Sequence, residues 1–445
     1  MNTTGTQTLH GQTPAILLRK INLMSVMFRV PKCLRLGGVL AFSVAVMGQN
    51  SVVPQGGEFS ILGGLPGDQV WPSISLSSSI GCIAWQANVV GKSGAGVGGA
   101  LLNSAFGASN VFRVNKIATG SQIKPKVRLL PNGNIIFVWE SSAAGTPDIY
   151  ARWARGTSTK TSTSYGSNFY TSDIRVNNYM ADQQTDPDVA ALPDGSAIIV
   201  WQSYGQDGSL WGVYARKYKS TGAPATAKEF LVNQYTSYNQ RSPAVAALAN
   251  GNYVIAWISE QERYLNSVDV YARIFTAAGV AVTDEIAVNS SANPCASPAL
   301  APLADGGFTV VWAQKDLTVL TNGWDVWGRP FSAAGNPEAA DFRINTYLYG
   351  DQYLPKIAAG PSGSLVVWTS LNQDGSREGV FGRFLSGGTQ VSGNEFQVNT
   401  TWISQQIHPA VAWNGVDHFL VVWSSFVGST GFDLYGQAYV LNSSP

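Results

Sequence analysis

Seven tryptophans recur along the chain at nearly constant spacing, each closing a short apolar run: Trp85, Trp139, Trp201, Trp257, Trp312, Trp368 and Trp423. The successive intervals are 54, 62, 56, 55, 56 and 55 residues. A unit of that size cannot bury its apolar face alone, so a period of this kind means one supersecondary unit copied seven times and stacked on itself. This overrides the two or three separate domains that 445 residues would otherwise suggest.

Each unit holds four candidate strands. The first is marked by a proline in every copy (Pro72, Pro125, Pro187, Pro243, Pro298, Pro355 and Pro409), and proline suits the first residue of a strand because it lacks a ladder donor. Turns such as Asn132-Gly133, Asp194-Gly195 and Asn250-Gly251 follow, supplying the positive φ of a tight hairpin, so the second strand runs antiparallel to the first. That second strand is a continuous apolar run, as at residues 135–139 and 419–423, which predicts burial on both faces. In an antiparallel meander, two-sided burial arises when sheets stack face to face around an axis. The alanine-rich first strands suit the crowded innermost position.

The third strand carries Tyr150-Ala151-Arg152, Tyr214-Ala215-Arg216 and Tyr271-Ala272-Arg273, and the fourth opens on an acid, as in Glu229-Phe230, Glu285-Ile286, Asp341-Phe342 and Glu395-Phe396. Arg273 and Glu285, Arg329 and Asp341, and Arg383 and Glu395 lie twelve residues apart. A hairpin between them predicts cross-strand ion pairs contributing ~0.2 to 1 kcal/mol each. The fold expected is therefore all-β: a seven-bladed β-propeller over residues 58–445 with four antiparallel strands per blade. The last unit ends after Tyr435-Gly436-Gln437 without a fourth strand, while Glu58-Phe59-Ser60-Ile61 precedes the first unit with no blade of its own. Pairing the two makes the N-terminal strand close the last blade and removes an exposed edge.

Ahead of the repeats, Arg19, Lys20, Arg29, Lys32 and Arg35 meet no acid before Glu58, and a short apolar run follows over residues 39–47. This reads as a targeting segment over residues 1–48, too short for a bilayer span, with a linker at 49–57. The expected location is secreted, periplasmic or cell-surface, with no membrane span in the mature chain. Removing the segment takes five of 28 basic residues and none of 27 acidic ones, leaving a formal charge of −4 that disfavours nucleic acid. Only 12% of residues are charged, about half the usual ~25%, so the surface is largely neutral and polar. Cys82 and Cys295 lie four units apart and read as plain small residues, and the chain is expected to be a monomer.

The units resemble a bacterial repeat with a Glu-Phe-x-Val-Asn start, a Gln three before a Pro, a Val-Val-Trp strand, a Gln-Asp-Gly-Ser loop and Tyr-Ala-Arg. Unit three (Gln206-Asp207-Gly208-Ser209, then Tyr214) and unit six (Gln373-Asp374-Gly375-Ser376) match it best. The resemblance implies a propeller in an extracellular, adhesin-like setting. It does not imply an activity.

Chemistry-bearing constellations are scarce. His408, before Pro409, reads as a loop residue and His418 as the opening of a strand, so no catalytic group, metal site or cofactor is expected. The repeated Gln69, Gln122, Gln184, Gln240, Gln352 and Gln406, and the Asn series Asn115, Asn177, Asn233, Asn289, Asn345 and Asn399, recur too regularly to be anything but architecture. Function is expected where units differ, in the loops joining strands two to three and four to one, which share a face. Their aromatics Tyr179, Trp211, Tyr235, Tyr238, Trp324, Tyr347, Tyr349, Tyr353 and Trp402 suit sugar rings or a protein partner equally. Three readings follow: a protein-binding or adhesion-like scaffold, which leads; a glycan-binding lectin; and a carbohydrate-active enzyme, hydrolase or lyase.

Overall fold

The structure, a computed structural model, describes residues 51–88, 94–156, 168–319, 321–387 and 390–442, so the expected targeting segment over 1–48 lies outside the described residues. Among the described residues, twenty-eight strands form seven four-stranded antiparallel sheets, six of them in simple chain order. The innermost strands are Asp68–Leu76, Gln122–Leu129, Gln184–Ala191, Gln240–Ala247, Cys295–Pro302, Gln352–Gly360 and Gln406–Trp413. Each touches the innermost strands of the two flanking blades, and the last returns to the first, closing a seven-bladed β-propeller.

The core is seven slabs between blades. Every second-strand tryptophan is at most 2% exposed and packs against the preceding blade: Trp139 on Cys82 and Ala84, for example, and Trp85 across the closure on Leu420 and Val422. Cys82 and Cys295 are buried free thiols. The closing strand Ser51–Ser60 runs antiparallel to Phe432–Asn442 from the pair Ser51/Asn442 to Ser60/Tyr435, with a bulge between Gln55 and Phe59. Residues 51–57, expected as linker, therefore belong to the sheet.

The ion pairs predicted for Arg273, Arg329 and Arg383 do not form, although the register is as expected, whereas the equivalent Arg152 and Asp173 of blade two do lie 3.8 Å apart. Tyr271 pairs with Ala287 and Ala272 with Ile286, but the ladder stops there and both charged side chains turn to the previous blade. Arg273 donates to the Val232 carbonyl at 2.9 Å, Arg329 to Val288 at 2.9 Å and Arg383 to Ile344 at 2.8 Å. Glu285 accepts the Tyr235 N–H at 3.1 Å and Asp341 the Ser290 N–H at 2.9 Å. Glu58 does the same at the closure, accepting the Thr400 N–H at 2.6 Å. Charge-assisted bonds to backbone satisfy peptide groups that an ion pair would leave bare, which is why they win.

The repeated amides are structural, as expected. Asn177 accepts the Ile149 N–H at 2.9 Å and donates to the Tyr179 carbonyl at 2.8 Å, a pattern that Asn233, Asn289, Asn345 and Asn399 repeat. Gln122 donates to the Thr119 carbonyl at 2.9 Å and accepts the Trp139 indole N–H at 2.8 Å. Blade five has Cys295 in that place, and the Trp312 indole turns to Gln314 at 3.3 Å instead.

Candidate functional site in the axial channel

The landmark prolines are not first in their strands. Each inner strand starts three or four residues earlier and is interrupted by a β-bulge at the proline, as between Thr185 and Asp188. Proline is tolerated there because a bulge needs no ladder donor. The residue before it has a positive φ in all seven blades: Trp71 (54°), Lys124 (49°), Asp186 (50°), Ser242 (53°), Ser297 (52°), Leu354 (52°) and His408 (54°). None is glycine, and for a bulky side chain such as Trp71 this conformation is strained, a feature that clusters at functional sites.

The bulges gather these seven side chains around one end of the axis, where they line a cavity of about 200 Å³. The residues after each proline, Ser73, Lys126, Asp188, Ala244, Ala299, Lys356 and Ala410, line a second cavity of about 130 Å³ that also takes in Arg128. Pro72, Lys126, Pro243, Pro298 and Lys356 border both cavities, so the two are continuous tiers of one channel. The inner strands enter from the loops joining strand four to strand one, which places the upper tier at the expected loop face.

The tiers are chemically uneven. Trp71 and His408, from neighbouring blades, stack with ring centroids 3.8 Å apart at 20°. Lys124 hydrogen-bonds Asp186 and sits 3.2 Å from Glu140, which is buried behind the ring and accepts the Asp186 N–H at 2.7 Å. Burial works against the Lys124 ammonium, but the two carboxylates together raise its pKa above the ordinary value. Arg128 lies 3.7 Å from Asp188, which accepts the Val245 N–H at 3.1 Å. Lys126 and Lys356 have no carboxylate within ion-pair distance among the described residues. Burial, and then the charge of Lys126, pull the Lys356 ammonium down to about 8. Burial, and then Lys356, pull His408 down to about 4, and its buried Nδ1 has no hydrogen-bond partner. Among the described residues no three His, Cys, Asp or Glu side chains gather as metal ligands.

The His408 shift has a measurable consequence. Between its ordinary 6.5 and about 4 the unfolded chain takes up a proton that the folded chain refuses. Stability therefore falls as pH drops through this window. Urea midpoints measured from pH 7 to pH 4 are expected to decline less steeply for His408→Gln than for the parent.

Tyr179, Trp211, Tyr235, Tyr238, Trp324, Tyr349 and Trp402, the aromatics expected to bind ligand, do not line this channel. Tyr238, Tyr349 and Trp402 are exposed at 55%, 65% and 55%, and the other four are half-buried. Trp211 packs on Tyr204 at 5.2 Å, and among the described residues no ring contact joins two of the seven. His408, expected as an uninvolved loop residue, instead lies within an inner strand and faces the cavity. His418 fits its structural reading, because its two ring nitrogens contact Asp417 and Gln55 of the closing strand. The signal that reveals the site is the run of residues flanking the seven prolines: Trp, Lys, Asp, Ser, Ser, Leu and His before them.

No family model matches this sequence, and no curated protein matches it. Solved structures do resemble its fold. A protein of unknown function from Dyadobacter fermentans has a TM-score of 0.50 at 11% identity, covering 88% of this chain and 99% of its own. The polysaccharide lyase Uly1 has a TM-score of 0.55 at 10% identity, covering 84% of this chain and 90% of its own. An α-L-arabinanase from Penicillium chrysogenum, complexed with arabinobiose, has a TM-score of 0.47 at 10% identity, covering 86% and 98%. At these identities the likeness establishes the propeller fold. The leading expectation of a protein-binding or adhesion-like scaffold does not stand beside it, since the similar propeller of named activity at a TM-score of 0.55 is a polysaccharide lyase.

Proposed function

We propose that this protein is a carbohydrate-active enzyme that works on a polysaccharide held at the mouth of the axial channel. The observation that carries this reading is the Trp71–His408 stack beside Lys124, Asp186, Ser242 and Ser297 on a single rim. An indole offers a platform for the apolar face of a sugar ring, and the flanking polar groups meet its hydroxyls. A site built from one residue of every blade also explains why strain is accepted at seven positions. The likeness to a polysaccharide lyase supports the same class. Exposed Tyr238, Tyr349 and Trp402, on loops of the same end, extend the contact to further sugar units. Export through the N-terminal segment suits a polymeric substrate met outside the cell; among the described residues no helix is long and apolar enough to cross a membrane.

The test is depolymerisation of a panel of neutral and acidic polysaccharides by the purified chain. Trp71→Ala is expected to lower kcat/KM on the responsive polymer by about ten- to a hundredfold, the loss of one buried aromatic contact. Binding with no cleavage of any polymer would make the chain a lectin, and neither binding nor cleavage would end the carbohydrate reading.

A further inference from the structure

We infer that the sugar taken by this channel is a uronate, and that its polymer is cut by β-elimination, with Lys126 and Lys356 holding the sugar carboxylate and His408 acting as the base. This rests on the reading of the axial channel as a carbohydrate-active site and goes beyond it in naming the substrate class and the bond-breaking step.

The charge inventory of the channel carries the inference. Four cations line it, and two of them are already matched: Lys124 by Asp186 and Glu140, Arg128 by Asp188. Lys126 from blade two and Lys356 from blade six are not. Two unmatched ammonium groups that sense each other inside a cavity of about 130 Å³ are unfavourable unless an anion enters between them. A neutral sugar leaves that repulsion in place, and a carboxylated one removes it.

The same inventory argues against hydrolysis by a carboxylate pair. That chemistry needs one carboxyl group free to donate a proton and another free to act as base or nucleophile across the scissile bond. Here Glu140 and Asp186 share Lys124, and Asp188 is held by Arg128 and the Val245 N–H. His408 is the group left free. It is uncharged at neutral pH, lines the upper tier and senses the charge of Lys356. A neutral base next to the cation that binds the carboxylate is the arrangement needed to remove the proton on the adjacent carbon, since the developing negative charge spreads onto that carboxylate. Binding the anion also offsets the effect of Lys356 on the imidazole and strengthens it as a base.

The step balances without a redox partner. His408 takes the C5 proton, the C5–H electron pair becomes the C4–C5 double bond, the C4–O4 bond breaks, and the departing oxygen takes a proton from water.

The experiment incubates the purified chain separately with polygalacturonate, polymannuronate, a glucuronate-containing glycosaminoglycan, a sulfated neutral galactan and a neutral arabinan. It follows the ultraviolet absorbance of the conjugated double bond, new reducing ends and product mass. Expected is absorbance rising with reducing ends on a uronate polymer, with products one water lighter than those of hydrolysis. Lys356→Met is expected to weaken retention of that polymer by about ten- to a hundredfold, the loss of one charge-assisted contact. It should melt no lower than the parent, because a repulsive charge has been removed. His408→Gln should abolish the absorbance while keeping retention. Reducing ends without absorbance would overturn the elimination step and leave the carbohydrate reading standing. Preference for the arabinan or the sulfated galactan would overturn the uronate. No response to any polymer would remove the inference together with the reading beneath it.

Discussion

A chain lacking residues 51–60 is expected to lose its cooperative fold. The deletion strips the outer strand from blade seven, ending a ladder of seven paired positions and baring the edge of Phe432–Asn442. At ~0.5 to 1.5 kcal/mol net for each hydrogen bond, the loss is on the order of 5 kcal/mol, comparable with the whole stability of many folded chains. The staple from Glu58 to Thr400 disappears with it, loosening blade seven from blade six. Urea unfolding should show a midpoint displaced to low denaturant or an insoluble product, and a synthetic peptide spanning residues 49–61 should restore part of the transition. Glu58→Ala alone should cost only about 1 to 3 kcal/mol. A truncated chain with an unchanged midpoint would mean that the inner strands hold the ring by themselves.

That closure was legible from the residues because it is a matter of counting: an acid-led strand too many at one end and a strand too few at the other. The blade count was legible for a similar reason, since Trp139 or Trp423 ends a run so apolar that both its faces must be covered. Arg273 and Glu285 mark where such reading stops. Their register opposite one another was correct, yet the bond each makes depends on a neighbouring blade that no local pattern describes. The site was missed for a related reason. If a strand begins at its proline, the residue before it belongs to a loop and His408 is idle. The bulge that turns Trp71, Lys124 and His408 toward the axis at one φ arises from tertiary packing, since seven positions with six residue types between them adopt the same conformation. The differences between units that line the channel lie at the two residues flanking each proline, the most regular landmark, and not in the exposed loops.

Symmetry separates what holds the molecule together from what gives it chemistry. The staples from Arg273, Arg329 and Arg383, the asparagines and the tryptophans recur blade after blade, and each neighbour supplies the same partner. The axial tiers do not recur. Blades four and five line the channel with uncharged residues, Ser242, Ala244, Ser297 and Ala299 flanking their prolines, while blades one, two, three, six and seven bring its rings and charges. A repeated scaffold thus frames a site that is not itself repeated.

Lys124→Met is expected to destabilise the protein by about 3 to 5 kcal/mol, because it leaves the Glu140 carboxylate buried without its cation. The Glu140 side chain is only 4% exposed, and burial already raises its pKa, so it cannot regain water when the lysine is removed. Adding Glu140→Gln should recover most of the loss, and a double-mutant cycle by urea unfolding measures the coupling between the two. The same pair of variants bears on mechanism. Were Glu140 an acid or base in hydrolysis, Glu140→Gln alone would end polysaccharide cleavage while leaving the fold intact. If its task is to hold Lys124 and the Asp186 N–H in the rim, cleavage should survive Glu140→Gln and fail under Lys124→Met only as far as the rim itself comes apart. Survival of cleavage under Glu140→Gln would leave the imidazole stacked on Trp71 as the group proposed to take the proton.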